Sequence, residues 1–325
     1  MENKNTKLKK FLYNSLDKLQ VIIVFLIMFI FMAVAMPKFF SYLNITNLFK
    51  QNAVNFVLGA AMTSVLIMGE IDISVGAVVG LTVTAAGRLC GMGYGFGVCL
   101  MACLMIGLLV GIINGLLITK GALPSFIATL GTQMMCRSLA YVLTGGKVIT
   151  TFPEGWTWIG QATVAKNFPI SFFFVIVIYA FTYIMHRRTV IGQKLYAVGS
   201  NRNAAILSGI NTDRVKMFIM MYSGLLAGIA GIFLSSRTPA AQGDAGMSTE
   251  FYVIAGAVIG GTSMSGGKGN VLLTMIGVFI IGMIRNALNL SHIDAYWQNF
   301  AIGAVIVAAV LLDCFRQRLQ KRMEV

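Results

Sequence analysis

Long apolar runs separated by short polar breaks follow one another along almost the whole chain. A helix of about 16–24 apolar residues is long enough to cross a hydrocarbon layer of about 30 Å with some tilt. A membrane β-barrel would instead need polar and apolar residues to alternate within each run, which these runs do not. The pattern therefore predicts about ten membrane-spanning helices. Their expected ranges are 19–36, 53–69, 73–90, 97–118, 122–143, 169–186, 215–235, 251–265, 271–288 and 297–313.

The composition supports this prediction. The chain has 325 residues, of which 57% are hydrophobic and only 11% are charged, and its mean hydropathy is +0.81. A soluble domain averages about 25% charged residues, so this chain has too few charges to cover a water-facing surface. We predict an all-α polytopic membrane protein with one transmembrane domain, 19–313, between basic tails at 1–18 and 314–325.

The distribution of positive charge predicts the orientation. The net charge is +14, and most of the 25 Lys and Arg residues fall into the two ends and a central loop at about 186–216. Cytoplasmic segments carry such an excess, whereas a nucleic-acid-binding protein gathers its cations on one folded face. Both termini are therefore predicted to be cytoplasmic, and no nucleic acid is expected as a partner. The loop at about 144–168 is placed outside, with Trp156 and Trp158 as interfacial anchors or docking residues.

The first apolar run also has features of a signal peptide. It follows a lysine-rich start and ends in Ala33-Val34-Ala35, which is similar to a signal-peptidase site. Its length of about 18 residues exceeds the core of about 7–15 residues that is typical of a signal peptide. Removing it would also leave nine spans, with the termini on opposite sides of the membrane. We therefore expect this run to remain as the first span.

Residues for metal binding or catalysis are scarce. The five cysteines lie in or beside apolar runs, only His186 and His292 could join them, and no CxxC or HExxH spacing occurs. The glycine-rich run 260–269 contains Lys268, but Gly269 follows it where a P-loop needs Ser or Thr. A flexible re-entry between two short helices accounts better for this run. We expect no metal, cofactor or catalytic residue in this chain.

The central loop contains a segment with the features of a short helix. Asn201 or Asn203 can cap its start, and Gly209 can end it. Its small apolar residues would form a smooth surface suited to the groove of another protein. The alternative is an amphipathic helix resting on lipid headgroups, although such a helix would favour larger side chains. The apolar residues are Ala204, Ala205, Leu207 and Ile210.

Several motifs occur in a fixed order along the chain. They are MGEIDISVG at 68–76, PSFIATLG at 124–131, the loop segment 192–211, SGLLAG at 223–228, IGGTSMSGGKG at 259–269 and NALNL at 286–290. In these motifs the chain resembles the membrane-spanning permease subunits of bacterial ABC importers of the ribose, xylose and galactose type, to which autoinducer-2 permeases are related. The resemblance covers nearly the whole chain beyond the first span, and it implies the fold of those permeases.

This resemblance implies a transport subunit and no enzyme activity. The loop helix would dock in a cleft of a separate ATPase, which carries ATP and Mg, and an extracytoplasmic binding protein would deliver a monosaccharide or similar polyol. A second permease copy or a homologue would complete the pathway in the bacterial inner membrane. The residues of this ATPase-coupling helix would be Gly199, Asn201, Arg202, Asn203, Ala204, Ala205, Leu207, Ser208 and Gly209.

The sequence departs from the family pattern at its outer side. Ala241-Gln242-Gly243 stands where relatives commonly have Ala-Gln-Pro, and His292 and Asp294 precede the last span where apolar or small residues are usual. These departures concern the cargo or the contact with the binding protein. Branched-chain amino acids, which a related permease group carries, are an alternative cargo. An ion-driven secondary transporter is a second alternative, although it would need a carboxylate in the middle of the membrane.

Polar residues inside the spans are candidates for the substrate pathway, because placing them in lipid is costly. A stripe of hydroxyl and amide groups recurs at every fourth residue of the fifth span, on one helix face. Neutral groups of this kind suit loose binding of a sugar, and helix packing is the alternative. The pathway candidates are Ser125, Thr129 and Gln133 in the stripe, with Asn286 and Asn289 at the outer end of the ninth span.

Charged residues near the ends of the spans are candidates for gates. Glu70 and Asp72 follow the second span at the predicted cytoplasmic mouth, and Asp72 could instead cap the start of the third span. Arg137 and Arg285 lie toward the outer side, where buried arginines need partners. We therefore predict an ion-paired outer gate or docking surface. The carboxylates available on that side are Glu154, Asp244, Glu250 and Asp294.

Glycines repeat at a spacing of four in three places. Each repeat gives a helix a groove that lets a neighbouring helix approach closely. We expect these grooves to serve packing within one subunit, with a dimer seam as the alternative. The repeats are Gly107, Gly111 and Gly115; Gly224 and Gly228; and Gly256 and Gly260.

Overall fold

The chain folds into long helices joined by short loops. A computed structural model describes the backbone of residues 4–164 and 168–323. It describes the burial and contacts of side chains for residues 19–164, 168–311 and 315. The helices are α1 (Lys4–Ala35), α2 (Tyr42–Ile67), α3 (Val75–Gly91), α4 (Phe96–Thr119), α5 (Ser125–Thr144), α6 (Trp158–Gln161), α7 (Ile170–Arg188), α8 (Val190–Ser200), α9 (Arg202–Leu207), α10 (Thr212–Arg237), α11 (Thr249–Ile259), α12 (Val271–Leu290) and α13 (Ala295–Met323).

The remaining regular structure is small. A 3-10 helix at Pro37–Phe40 joins α1 to α2. Two antiparallel strands, β1 (Thr163–Val164) and β2 (Phe168–Pro169), pair in the loop before α7. The part of this predicted outer loop at 165–167, including Lys166, lies outside the described residues.

The predicted class, an all-α polytopic membrane protein, is confirmed. Each of the ten predicted spans falls on a helix. By length and composition, four of the helices in the described ranges, α4, α7, α10 and α12, are long and apolar enough to cross a membrane. The predicted span at 251–265 is wrong in its second half, because α11 ends at Ile259 and the backbone turns at Gly261 with a φ of 81°. Glycine adopts a positive φ readily, and a hydropathy pattern does not reveal such a turn.

Helices α2 and α10 form the centre of the molecule. Almost every residue of α2 from Ala53 onward is buried, including polar ones. The Thr63 hydroxyl donates to the carbonyl oxygen of Gly59 at 2.7 Å, and it lies 2.8 Å from the hydroxyl of Thr274 in α12. Hydrogen bonds to the helix's own carbonyls allow such hydroxyls to be buried at low cost. Helix α2 is therefore surrounded by protein over most of its length.

The glycine repeats pack helices closely within one chain, as predicted. A Cβ atom on Gly107 of α4 would overlap the carbonyl oxygen of Gly224 in α10, and a Cβ atom on Gly224 would overlap that of Gly107. In the same way, α12 approaches the backbone of Gly256 in α11 at Gly277. Such contacts bring backbones together where lipid provides no hydrophobic driving force.

Replacing Gly224 by alanine is expected to destabilise the fold. The new methyl group meets backbone atoms of α4, which cannot rotate away, and overpacking of this kind costs about 1–3 kcal/mol. The midpoint of thermal unfolding in detergent, followed by size-exclusion chromatography, should fall. Gly131→Ala is the matched control, because its Cβ atom meets no atom within 4 Å. An unchanged midpoint for Gly224→Ala would contradict the packing described for α4 and α10.

One of the two tryptophans expected at the membrane interface lies in the core. Trp156 is only 1% exposed, packs against Phe96 and Phe152, and donates from Nε1 to the Ser235 hydroxyl at 3.0 Å. The prediction of an interfacial anchor is therefore wrong for Trp156, because its loop folds inward against α10. Trp158 is exposed.

Candidate functional site

The first break in the helical core lies at 68–74, between α2 and α3. The Ile71 N–H donates to the Ser125 hydroxyl at 3.2 Å, and the Ile73 N–H donates to the Thr129 hydroxyl at 3.3 Å. Both hydroxyls belong to the polar stripe of α5, and both residues are buried. In this conformation the stripe supports the backbone of the break, which would otherwise leave donors unpaired in lipid. Its role as pathway lining stays a prediction.

The remainder of the stripe holds a second segment in place. The Gln133 side-chain amide donates to Glu250 Oε1 at 3.0 Å, in the first turn of α11. Arg137 donates from Nη1 to the carbonyl oxygens of Gly243 at 2.9 Å and Ala245 at 2.7 Å. Within the described ranges Arg137 therefore binds carbonyl oxygens, and the predicted ion pair is absent. The segment with Gly243 and Ala245 lies against α5, so its carbonyl oxygens, and no carboxylate of the described residues, bind the guanidinium.

Asp72 is the centre of a buried hydrogen-bond network. Its side chain is only 2% exposed. Oδ1 accepts from the Ser74 N–H at 3.0 Å and from the Ser74 hydroxyl at 2.6 Å, and Oδ2 accepts from the Ser223 hydroxyl at 2.8 Å. The network continues to Asn114 of α4, which donates to the Ser74 hydroxyl, and to Thr132 of α5. Asp72 thus holds Ser74, the N-cap residue of α3, without capping the helix itself as predicted, and it also ties the break to α10.

Glu70 forms an ion pair with Lys216 in the first turns of α10. The two side chains are 14% and 9% exposed, so little solvent screens the pair. An ion pair that is shielded from water depends on both partners, since removing one leaves an uncompensated charge. The pair joins the first break to the helix that directly follows α9.

The second break lies at 260–270, between α11 and α12. Its backbone turns at Gly266 and Gly267, where φ is 85° and 72°. The Gly267 N–H donates to the carbonyl oxygen of Ile67, the last residue of α2, at 2.8 Å. The predicted re-entry is therefore present as a turn, and it binds the end of α2.

Helix α8 joins both breaks at one junction. Gly199 lies so close to the end of α2 that a Cβ atom would overlap the Ile67 carbonyl oxygen. A Cβ atom on Gly266 would lie 2.6 Å from the Gly199 carbonyl oxygen and 3.0 Å from the backbone of Gly69. One turn before Gly199, the Tyr196 hydroxyl donates to the carbonyl oxygen of Gly269 at 2.8 Å. Around Gly199 backbone packs on backbone, so α8 and the end of α2 have little room to move independently there.

The predicted short helix is present as α9. Asn201 caps it, since its side-chain oxygen accepts from the Ala204 N–H at 3.0 Å, and Gly209 ends it with a φ of 76°. Leu207 is 90% exposed, whereas Ala205 is only 4% exposed. The expectation that Ala205 belongs to the exposed surface is therefore wrong, because that side of α9 packs onto the protein. The other predicted coupling residues Arg202, Asn203, Ala204 and Ser208 are exposed.

Arg285 and the two candidate asparagines lie together on α12. The Arg285 guanidinium is 5.2 Å from the centre of the Tyr252 ring, and in the described part of the chain it makes no ion pair. Asn286 exchanges two hydrogen bonds of 2.9 Å with Asn44 at the start of α2. Asn289 accepts one of 2.8 Å from the first turn of α13. Among the residues described, the predicted ion pair is thus absent at Arg285, where an aromatic ring covers the cation, and the role in a gate or docking surface stays a prediction.

The sequence did not single out three residues of this site: Tyr196, Lys216 and Ser223. A signal existed for Lys216, because a lysine just inside the start of an apolar span needs a partner. Tyr196 and Ser223 could not be found from sequence, since their partners lie 73 and 151 residues away. Among the described residues, no group of three or more His, Cys, Asp or Glu could hold a metal ion.

Comparisons with known proteins identify similar permeases. The family described as branched-chain amino acid transport system / permease component matches residues 44–310. The ribose import permease RbsC of Haemophilus influenzae is 37% identical over 316 residues, which cover 96% of each chain. RbsC of Bacillus subtilis is 40% identical over 92% of this chain and 93% of its own. The D-allose transport system permease AlsC of Escherichia coli is 34% identical over 90% and 89%. No solved structure matches.

Proposed function

The chain belongs to the family of membrane permeases that includes the sugar permeases of bacterial ABC importers, and from this premise we propose that it moves a monosaccharide into the cell. A separate ATPase binds ATP and Mg and docks on α9, which faces the cytoplasm. A binding protein outside the cytoplasmic membrane delivers the sugar. A second permease copy or a homologue closes the pathway.

The observation that carries this proposal is the position of α9. Its exposed residues, Ala204 and Leu207, are free to meet a partner, while its other side and the preceding α8 pack on the protein. Movement of α9 reaches the end of α2 through Gly199 and the start of α10 through the chain itself. Packed cores respond to such displacement by rigid-body movement of whole helices. An ATPase that pulls on α9 would therefore shift both breaks together.

The relatives support a sugar as the cargo. Two of them are named for ribose and one for D-allose, and all align over most of their length. The family description names branched-chain amino acids. The choice of a sugar over an amino acid therefore rests on the names of these relatives.

Uptake into proteoliposomes that contain this chain, its ATPase and its binding protein tests the proposal. We expect ATP-dependent uptake of one sugar from a radiolabelled panel of ribose, allose, arabinose and galactose, with leucine as the amino acid probe. Replacing Leu207 by glutamate should reduce this uptake at least about tenfold, the effect of losing about 1.4 kcal/mol at the ATPase contact. Lys120→Gln, an exposed change in another loop at the same end of the molecule, is the control.

Three outcomes would contradict the proposal. Uptake of leucine and of no sugar would assign the alternative cargo. Uptake that persists without the ATPase and collapses with the ion gradient would mean an ion-driven transporter. Full uptake by the Leu207→Glu variant would remove α9 from the ATPase contact. Ala205 is not used in this test, because a charge at a buried position would also disturb folding.

A further inference from the structure

A polar cavity of about 830 Å³ lies at the end of the molecule opposite α9. It is lined by the first half of α2, the end of α6, the last turn of α10, the loop before α11 and its first turn, and the second half of α12. Its volume falls in the range of about 300–1,000 Å³ that small-molecule sites occupy. From Asn47 in its wall to Ile67 at the junction, α2 runs about 30 Å at 1.5 Å per residue. The cavity and the junction are thus at opposite ends of one central helix.

One wall of the cavity is a stripe of amides. Asn47, Gln51 and Asn55 recur at every fourth residue of α2 and so lie on one helix face. In the described part of the chain, the side chains of Asn47 and Gln51 form no hydrogen bond with protein groups. An amide side chain offers both donors and acceptors, and a sugar hydroxyl also needs both. Unpaired amides that face a shared space are suited to a ligand with many hydroxyls.

The rest of the lining adds charged groups of both signs. Asp244, Arg285 and Asn289 belong to this part of the lining, together with the cations Lys50 and Arg237, and none of the described residues forms an ion pair with Asp244. The Arg285 guanidinium is held over the Tyr252 ring, which leaves its edge free to donate. Hydrogen bonds that involve a charged partner are roughly twice as strong as neutral ones. A ligand here can therefore be oriented by the Asp244 carboxylate and by the Arg237 and Arg285 guanidiniums, whereas the Lys50 ammonium already donates to the Gln161 carbonyl oxygen at 3.2 Å.

We infer that this cavity is where a monosaccharide first binds the permease after it leaves the binding protein. The inference rests on the proposed function and names its binding site. The amides of α2 and the Asp244 and Arg285 side chains would bind the hydroxyls. The lining is mostly polar, so an aliphatic amino acid side chain would lose more than it gained there. The volume exceeds that of one monosaccharide and leaves room for water, which keeps binding weak enough for release.

The test uses the reconstituted transporter with its ATPase and binding protein. We measure sugar moved per ATP hydrolysed in Gln51→Leu and Asn55→Leu variants, together with ATP hydrolysis stimulated by the loaded binding protein. Each variant removes hydrogen bonds to the sugar and keeps the size of the side chain. The amount of sugar moved per ATP should fall about tenfold, the effect of losing one hydrogen bond worth about 1.4 kcal/mol. The rate of stimulated ATP hydrolysis should stay unchanged. Thr151→Val, exposed and outside the cavity lining, is the control.

The outcomes separate the inference from the function on which it rests. If the unmodified transporter carries none of the sugars, the proposed function fails. If it carries one and both variants keep the original ratio, the cavity is not the binding site. Loss of stimulated hydrolysis together with uptake would also overturn the inference, because it would make the cavity a docking surface for the binding protein. Since Gln51 is exposed, its replacement leaves the folded core intact and keeps the test decisive.

Discussion

Replacing Gly199 by valine will abolish ATP-dependent uptake. Its Cβ atom would overlap the carbonyl oxygen of Ile67, and the valine would also meet the backbone of Gly267. Neither group can rotate away, so α8 must separate from α2 and from the second break. Overpacking against backbone costs about 3 kcal/mol. This shifts the equilibrium between the packed and the separated arrangement of α8 more than about a hundredfold toward separation. The variant should still bind the ATPase, because Leu207 on α9 remains exposed.

The measurement is uptake per transporter, with the ATPase retained on immobilised permease as a second readout. Gly97→Val is the matched control, since Gly97 is also helical and its Cβ atom would meet no atom within 4 Å. The expected result is retained binding with lost uptake in Gly199→Val only. Normal uptake would show that the junction between α8 and the two breaks does not transmit movement.

Reversing the charge of Lys216 should reduce uptake nearly as strongly. A glutamate at 216 would place two carboxylates together at a site that is largely shielded from solvent. Breaking an ion pair of this kind costs about 3–5 kcal/mol, because the remaining charge is left without compensation. The segment 68–74 would then lose its tie to α10. We expect uptake at least about a hundredfold lower at equal amounts of protein in the membrane.

The double variant Glu70→Lys with Lys216→Glu provides the control. It restores opposite charges at the same two positions, and uptake should recover substantially. Recovery would show that the pair itself matters, since a purely steric defect would persist in the double variant. No recovery, together with normal insertion, would mean that each residue acts through some other contact.

Much of the fold followed from the hydropathy pattern. Apolar length marks a helix in lipid because the backbone must satisfy its own hydrogen bonds there. For that reason each of the ten predicted spans falls on a helix. The second half of the span at 251–265 was wrong, because the chain leaves the helix at Gly261 by backbone torsion. Torsion at glycine leaves no trace in a hydropathy pattern.

The site was predicted only in part. The limits and cap of α9 could be predicted, because Asn201 and Gly209 act on their immediate neighbours. The predicted ion pairs of Arg137 and Arg285 are absent among the described residues. Charge alone does not tell whether a carboxylate, a carbonyl oxygen or an aromatic ring lies closest to a guanidinium. The stripe of α5 was found as a pattern, but its contacts with the break at 68–74 were not.

The sequence by itself determined the membrane class, the helices and the local caps. These features depend on composition, on the spacing of apolar and polar residues, and on interactions between residues close in sequence. Only the tertiary structure decided which parts of the chain meet. Asp72 and Ser223 lie 151 residues apart, and Glu70 and Lys216 lie 146 apart. Their pairing depends on how closely glycine-lined helices approach one another, and such distances are a property of the packed molecule.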